Sequence, residues 1–523
     1  MGKEFELSIK TINGDENNAV AFIKANKEGQ SFQYNDTDVS GSLCIKQVYN
    51  YVSKGKLTGI LNIVAVIIIA FFSFLGTRKK WKIEYQFLAM AIFTALIYLV
   101  TIPVGRVPDE TAHYLRAYEV SEGHTLSEKS PEDGFGGRNM KSNIIPADLS
   151  DPTTYNYFKL IENKDTTIDS NNSQWYSFWN TALYSPVSYV FQLPGILLTK
   201  LFTAKTLAIA YAGRISSMIF SILALFLAIR YIPVKKYLIL LVAMMPVFMQ
   251  EMISLSPDSL INALSIGIVS YAVYLAYNEQ EKITNKQIVG MYLMSIVLAL
   301  TKIVYVPLCF IFYIIPSRKF KDKKTYWKIM LSMSAVAIFL KLLWLALASG
   351  YLAELQVGVD SAKQVSNLLM HPFDYLFVAL NTLIQYGETY IKTCVGSSLC
   401  WFDVNVNSLI IWVYVIVLIV IGKADNQDKK VICNKDKYIM GGIFGVILAL
   451  TATSLYVQFT KYNARAIEGI QGRYFIPLIL VASLVFTAKK TKVLKDEVVT
   501  KYMYPFIGLM QVCAVVPVII GNL

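Results

Sequence analysis

Twelve apolar runs recur, near 58–76, 84–104, 206–230, 236–255, 258–277, 288–301, 303–316, 326–348, 408–422, 438–458, 473–488 and 502–521, most of them near the roughly 20 residues that carry an α-helix across a bilayer core. In hydrocarbon every backbone N–H and C=O must be bonded internally, so runs of this kind are read as membrane helices. The expected fold class is an all-α polytopic membrane protein. Composition agrees: 55% of the 523 residues are apolar, 16% are charged and the mean hydropathy is +0.46. Those values exclude a water-soluble enzyme and a disordered scaffold. The formal charge of +13 sits in short clusters between the runs, so it reads as topology and not as a nucleic-acid surface. Six cysteines without a CxxC pair and three histidines indicate neither a zinc domain nor a disulfide framework.

Charge sets the orientation. The first run, 58–76, is followed by Arg78, Lys79, Lys80 and Lys82 before any acid, a cytoplasmic pattern. The second, 84–104, returns outward and releases residues 105–182, which hold twelve acids and seven basic residues. Four other breaks, at Arg230 with Lys235 and Lys236, 317–328, 423–437 and 489–501, hold nineteen Lys and Arg against six acids. The acidic stretch is therefore expected outside as a large first outer loop, with the basic breaks inside. Two further runs, 183–201 and 373–392, cannot both cross without putting a basic loop outside. Pro186 and Pro194 interrupt the first, and Glu388 and Lys392 close the second, which suits re-entry or an outer-interface position. About 12 to 14 transmembrane helices are expected. Residues 1–57 balance seven lysines against seven acids and show alternating patches such as 5–12. They are expected to form a small, polar, strand-rich extracellular segment ahead of a multi-pass domain, 58–523.

Candidate chemistry starts the outer loop, in Pro108-Asp-Glu-Thr-Ala-His-Tyr-Leu-Arg-Ala-Tyr118. Proline suits a first helical turn and acids there complement the helix dipole, so a helix is predicted from about Pro108. Asp109, His113 and Arg116 then share one face. Capping and helical ion pairs explain such residues on an ordinary surface helix. Adjacent acids where a span meets a large outer loop instead suit a base, or ligands for Mg or Mn, over a lipid-borne substrate.

Other polar residues stand in apolar surroundings. Lys302 lies between two short apolar segments, where an ionisable group is functional unless it snorkels. Lys341 is a second buried lysine, with nothing in the sequence to say what it meets. Arg473, in Gln471-Gly-Arg-Tyr474, stands at the outer entry to a span, where topology gives no reason for a cation. Its expected partner is a phosphate, or an acid such as Glu468. Asp258 follows Pro257 as an N-cap or as a group facing the acceptor. Arg214 is open to a carboxylate or a lipid, and His113 is given a supporting role. Cys394 and Cys400 are expected outside, where a bridge is permitted but not demanded.

Seven ordered stretches carry a wider likeness: Pro108 to Tyr118, then Asn180-Thr-Ala-Leu-Tyr-Ser-Pro-Val-Ser-Tyr189, Tyr211-Ala-Gly-Arg214, Ser254-Leu-Ser-Pro-Asp258, Lys302-Ile-Val-Tyr-Val-Pro307, Gly396-Ser-Ser-Leu-Cys-Trp-Phe-Asp403 and Gln471-Gly-Arg-Tyr474. On these the chain resembles bacterial predicted membrane proteins grouped as domain of unknown function twenty-one forty-two. Two departures stand out. The usual glycine before the tryptophan is Cys400, and the usual trailing Leu-Pro is Val406-Asn407. The family is similar, by analogy, to C-superfamily glycosyltransferases, multi-pass enzymes that take sugars from polyprenyl-phosphate donors. Acids in the first outer loop are their catalytic signature, and Asp109 and Glu110 occupy the matching place.

The resemblance implies a bacterial cell-membrane enzyme that moves a sugar from a polyprenyl-phosphate donor to a cell-surface glycan or lipid-linked acceptor on the outer leaflet. Its partners would be that donor, that acceptor and the lipid bilayer, with no nucleic acid. Asp109 is the first choice as base and Glu110 the second. Either is alternatively a ligand for Mg or Mn, the only cofactors considered. Arg116, Lys302 and Arg473 are the candidate cations for the departing phosphate, with Gln471 and Tyr474 beside them. Two other classes stay open: a transporter or flippase of lipid-linked saccharide, which should show repeat symmetry and mid-membrane ionisable groups, and a noncatalytic cell-envelope assembly protein, which should tolerate replacement of these residues.

Overall fold

A computed structural model describes residues 24–25, 31–34, 37–40, 42–43, 51–78, 81–145, 157–279, 282–351, 356–424, 432–487 and 496–522. The chain divides into two compact units, Met1–Leu57 and Thr58–Leu523. In the first, β1 (Lys24–Ala25), β2 (Ser31–Tyr34), β3 (Thr37–Ser40) and β4 (Ser42–Leu43) form two antiparallel pairs, β1 with β4 and β2 with β3. The alternating patch at 5–12 lies outside the described residues.

The helices follow in order: α1 (Tyr51–Arg78), α2 (Ile83–Thr101), α3 (Glu110–Ser121), α4 (Tyr157–Glu162), α5 (Leu193–Lys200), α6 (Thr206–Tyr231), α7 (Lys236–Ala243), α8 (Pro246–Met252), α9 (Asp258–Tyr277), α10 (Asn285–Thr301), α11 (Lys323–Ala348), α12 (Ser361–Met370), α13 (Pro372–Val395), α14 (Ser408–Ala424), α15 (Asn434–Gln458), α16 (Ile476–Val485) and α17 (Asp496–Asn522). Among the described residues, seven are long and apolar enough to cross a membrane: α1, α2, α6, α9, α11, α15 and α17. The protein is a helical membrane protein.

The other runs counted toward twelve to fourteen spans form shorter or broken pieces, for identifiable reasons. Pro246 brings no N–H with which to continue α7, and the 236–255 run splits into helices of 8 and 7 residues. Lys302, in an extended conformation, separates α10 from a 12-residue 3₁₀ rod, Ile303–Ile314, that contains Pro307. A 3₁₀ turn, Gly472–Phe475, precedes an α16 of only 10 residues. The 183–201 run is a 3₁₀ turn, Pro186–Tyr189, and the 8-residue α5. In α13, Phe373, Phe377, Leu380 and Ile384 are exposed at three- and four-residue spacing, an apolar stripe of the kind that lies in a bilayer interface.

The described residues between 105 and 182 build a cap, whose core is shared with Tyr189, Ile196, Ile209 and Leu255. There β5 (Glu128–Lys129), β6 (Gly136–Ser142) and β7 (Asp169–Ser177) form an antiparallel sheet in the order β5-β6-β7. Tyr114, Tyr118, Met140, Tyr176 and Phe178 are buried together, so Tyr176 and Phe178 serve packing. Glu119 is fully buried between Arg116 and Arg138, with Arg138 Nε 2.7 Å away. Arg138 also meets Glu128 at 2.6 Å, which ties α3 to the sheet.

Candidate functional site

The two adjacent acids of the outer loop have opposite environments. Glu110 is fully buried. Its Oε1 accepts from Arg214 Nε at 2.7 Å and Leu255 N at 3.1 Å, and its Oε2 from Arg214 Nη2 at 2.6 Å and Gly105 N at 2.8 Å. Arg214 also donates to the Ile102 and Pro103 carbonyls. Both oxygens of Glu110 are thus occupied by a bidentate, charge-assisted pair that bolts the α2–α3 corner to α6. Asp109 retains 43% of its side-chain exposure. It adopts φ 62° and makes no capping hydrogen bond to α3. A left-handed non-glycine residue beside polar partners is a strained arrangement that the surroundings must enforce.

Asp109 meets Arg473 instead. Arg473 Nη2 lies 3.2 Å from Asp109 Oδ2, Nη1 lies 3.1 Å from Glu251 Oε1, and Nε lies 3.6 Å from Asp258 Oδ2. Lys302 Nζ approaches Asp258 Oδ1 at 3.7 Å and stands 4.2 Å from the centre of the Tyr474 ring. Tyr305 holds that segment by donating to the Tyr474 carbonyl at 2.8 Å. The structure thus gathers Asp109, Asp258, Lys302, Arg473 and Tyr474 in one cluster of three carboxylates and two cations, with Glu251 the third acid. Asp258 opens α9 without a side-chain capping bond; it faces the cations.

His113 lies one turn along α3 from Asp109, with Nδ1 3.0 Å from the Tyr189 hydroxyl and its ring edge-on to Tyr184. Burial pushes its imidazole down to about 4, against the pull of Asp109 and Asp258, so it is a neutral hydrogen-bonding group at physiological pH. Arg116 is not brought to the cluster. It is fully buried and bonded to Glu119, to the Thr125 carbonyl at 2.6 Å and to the Tyr184 carbonyl at 3.0 Å. Those bonds leave it as a strut between α3 and the loop before the Pro186–Tyr189 turn.

A cavity of about 180 Å³ adjoins the cluster, lined by Glu251, Gln471 and Arg473 with Tyr390, Thr393 and Phe402. Glu251 Oε2 and Gln471 Oε1 are buried without a hydrogen-bond partner. Buried acceptors are normally satisfied, so this cavity fits a ligand that donates hydrogen bonds. Gly472 allows the approach that seats Arg473 here. A Cβ at this position would lie 2.3 Å from Cys394 N and 2.4 Å from the Tyr390 carbonyl.

The hairpin of β8 (Ser398–Leu399) and β9 (Val404–Asn405) closes the neighbouring side. Arg106 reaches Asp403 at 2.7 Å and Asn522 at 2.9 Å, and Gln250 Oε1 accepts from Cys400 N at 2.6 Å. Cys400 has φ 54°, a left-handed conformation that glycine takes more readily. Cys394 and Cys400 are free thiols, so the permitted bridge is not formed.

A metal held by Asp109 and Glu110 together does not fit these residues, because all the acceptor positions used by Glu110 are filled by Arg214 and two amides. Among the described residues no group of three or more His, Cys, Asp or Glu is arranged to hold a metal ion.

Glu251 was not among the sequence candidates. It interrupts an apolar run as a lone acid, and the rule that singled out Lys302 applies equally to it.

The sequence model of the family described as "Predicted membrane protein (DUF2142)" matches residues 92–482, more than half of the chain. The chain belongs to that family. No curated protein and no solved structure matches it. Asp109, Glu251, Asp258, Lys302 and Arg473 all fall within the DUF2142 match, whereas α1 and α17 lie outside it.

Proposed function

We propose that this membrane protein is an inverting glycosyltransferase of the C-superfamily type, moving a sugar from a polyprenyl-phosphate donor to a glycan or lipid-linked acceptor on the outer leaflet. The observation that carries the reading is Asp109: a half-exposed, uncapped, conformationally strained carboxylate, 3.2 Å from a buried arginine at the edge of a cavity with unsatisfied acceptors.

In the proposed reaction the acceptor hydroxyl gives its proton to Asp109 while its oxygen bonds to the anomeric carbon. The bond from that carbon to the phosphate oxygen breaks, and the electron pair leaves on polyprenyl phosphate. Arg473 and Lys302 face the charge that gathers there, an electrostatic role. Glu251 and Asp258 hold the two cations in place beforehand. The cavity lined by Gln471, Glu251 and Tyr390 takes a sugar ring, whose hydroxyls supply the missing donors. Glu110 and Arg116 act as positioning residues for the segment that carries Asp109. No metal is required by this scheme.

Transport of a lipid-linked saccharide draws less support. Lys341, the second lysine that favoured it, donates at 3.4 Å to the Thr301 carbonyl, next to Lys302, so both lysines belong to the site end of the bundle and not to its middle.

The reading is tested by comparing surface-glycan composition in cells carrying the native chain, Asp109→Asn and Arg473→Ala. Both variants are expected to reach the membrane and to lack the added sugar. An unchanged glycan in both would overturn the proposal and favour an assembly role.

A further inference from the structure

The end of the bundle away from Asp109 holds a second feature, independent of sugar transfer. Three helices run between the two ends. In α2, Ile83 is at the far end and Thr101 leads to the site; α6 runs back from Arg214 to Arg230; α17 ends at Asn522, which meets Arg106. At 1.5 Å per residue, Arg214 and Arg230 are about 24 Å apart along α6.

At this far end a cavity of about 940 Å³ is lined by Arg78, Lys82, Arg230, Lys236 and Lys501, with Glu84 and Glu497 as its carboxylates. Five positive charges against two negative leave an excess of three. Among the described residues no ion pair within 4.0 Å joins any of these cations to a carboxylate. Trp81, Tyr85 and Tyr231, 45 to 48% exposed, stand among the lining residues as aromatic side chains do at a membrane interface. Phe74 and Phe71, more than half exposed on α1, continue from the cavity along the bundle, with Arg78 5.3 Å from the centre of the Phe74 ring.

A topology signal needs basic residues on one side of the membrane; it does not need them to converge on one concave space, where they repel each other. An anion relieves that repulsion, and apolar tracks beside the cavity suit acyl chains. We propose that this cavity binds the phosphate headgroup of an anionic phospholipid, with its chains along α1.

The test uses the purified full-length protein in neutral detergent. Its thermal unfolding midpoint is followed while dioleoyl phosphatidylglycerol, dioleoyl phosphatidylcholine or inorganic phosphate is added. Phosphatidylglycerol is expected to raise the midpoint saturably by at least about 2 °C, at concentrations where the other two have no effect. Arg230→Gln with Lys236→Gln is expected to weaken the response roughly thirtyfold, the effect of losing two charge contacts. Lys324→Gln with Lys328→Gln, on exposed cations of α11, should respond as the native protein does. If the first pair does not yield folded protein, Lys82→Gln with Lys501→Gln carries the same expectation. Equal stabilisation by phosphatidylcholine, a native response from the cavity variants, or a rise with inorganic phosphate alone would each overturn the proposal.

Discussion

Asp109 and Glu110 are neighbours in sequence with the same charge, yet the fold gives them different work. Asparagine tolerates the left-handed conformation of Asp109, so Asp109→Asn should fold normally and lose at least about 100-fold in transfer rate, read as product formed per unit of inserted protein. Glu110→Gln leaves Arg214 buried with half its partner removed. It should lower stability by roughly 3–5 kcal/mol, seen as a fall in the unfolding midpoint, and slow transfer by the folded protein far less than Asp109→Asn does, because Glu110 acts only through the placement of Asp109. His113 sets a pH dependence. Its folded imidazole titrates near 4 against an ordinary 6.5, so the unfolded chain takes up its proton first as pH falls. Stability from this group is complete above about 6.5 and declines toward 4, by roughly 2 kcal/mol at pH 5. His113→Gln should show a correspondingly smaller drop in midpoint between about pH 7 and pH 5 than the native protein.

At the scale of elements, the site is assembled where apolar runs fail to form whole helices. Glu251 lies in α8 just after the break at Pro246, Lys302 lies at the junction of α10 with the 3₁₀ rod, and Arg473 lies in the turn before α16. Irregular backbone at membrane depth is tolerated only when protein or a cavity surrounds it, and here it presents the charged groups. These breaks also mark what could be read in the sequence. The long helices α2, α6, α9 and α15 follow apolar runs whose limits were expected within a few residues, because length and hydropathy define them. The break at Lys302 was expected, because two short apolar segments flank it, whereas the split at Pro246 was not legible, because a proline is compatible with a kinked span as well as with a broken one. The cluster was partly legible: Asp109, Asp258, Lys302, Arg473 and Tyr474 were singled out and converge. Glu251 was not, and the saturation of Glu110 and Arg116 depends on carbonyls and amides far apart in sequence. Gly472→Ala tests the element contact. Its Cβ would meet backbone of α13, so the variant should lose about 1–3 kcal/mol and displace Arg473, with transfer falling further than stability.

For the whole molecule, two polar features lie at opposite ends of one bundle: a carboxylate and cation cluster under the cap, and a basic cavity at the other end. The charge asymmetry between residues 105–182 and the basic breaks predicts that the cap faces outward. A cysteine introduced at exposed Glu132, in a background in which Cys44, Cys433 and Cys513 are replaced, should react with a membrane-impermeant maleimide in intact cells, whereas one at Lys324 should react only after lysis. The central claim, that Asp109 removes a proton as a sugar leaves polyprenyl phosphate, is tested most directly by mass spectrometry of the lipid extract from cells lacking the native chain and complemented with it or with Asp109→Asn. A polyprenyl-phosphate sugar should accumulate with Asp109→Asn and be consumed by the native chain; equal amounts in both extracts would overturn that role for Asp109.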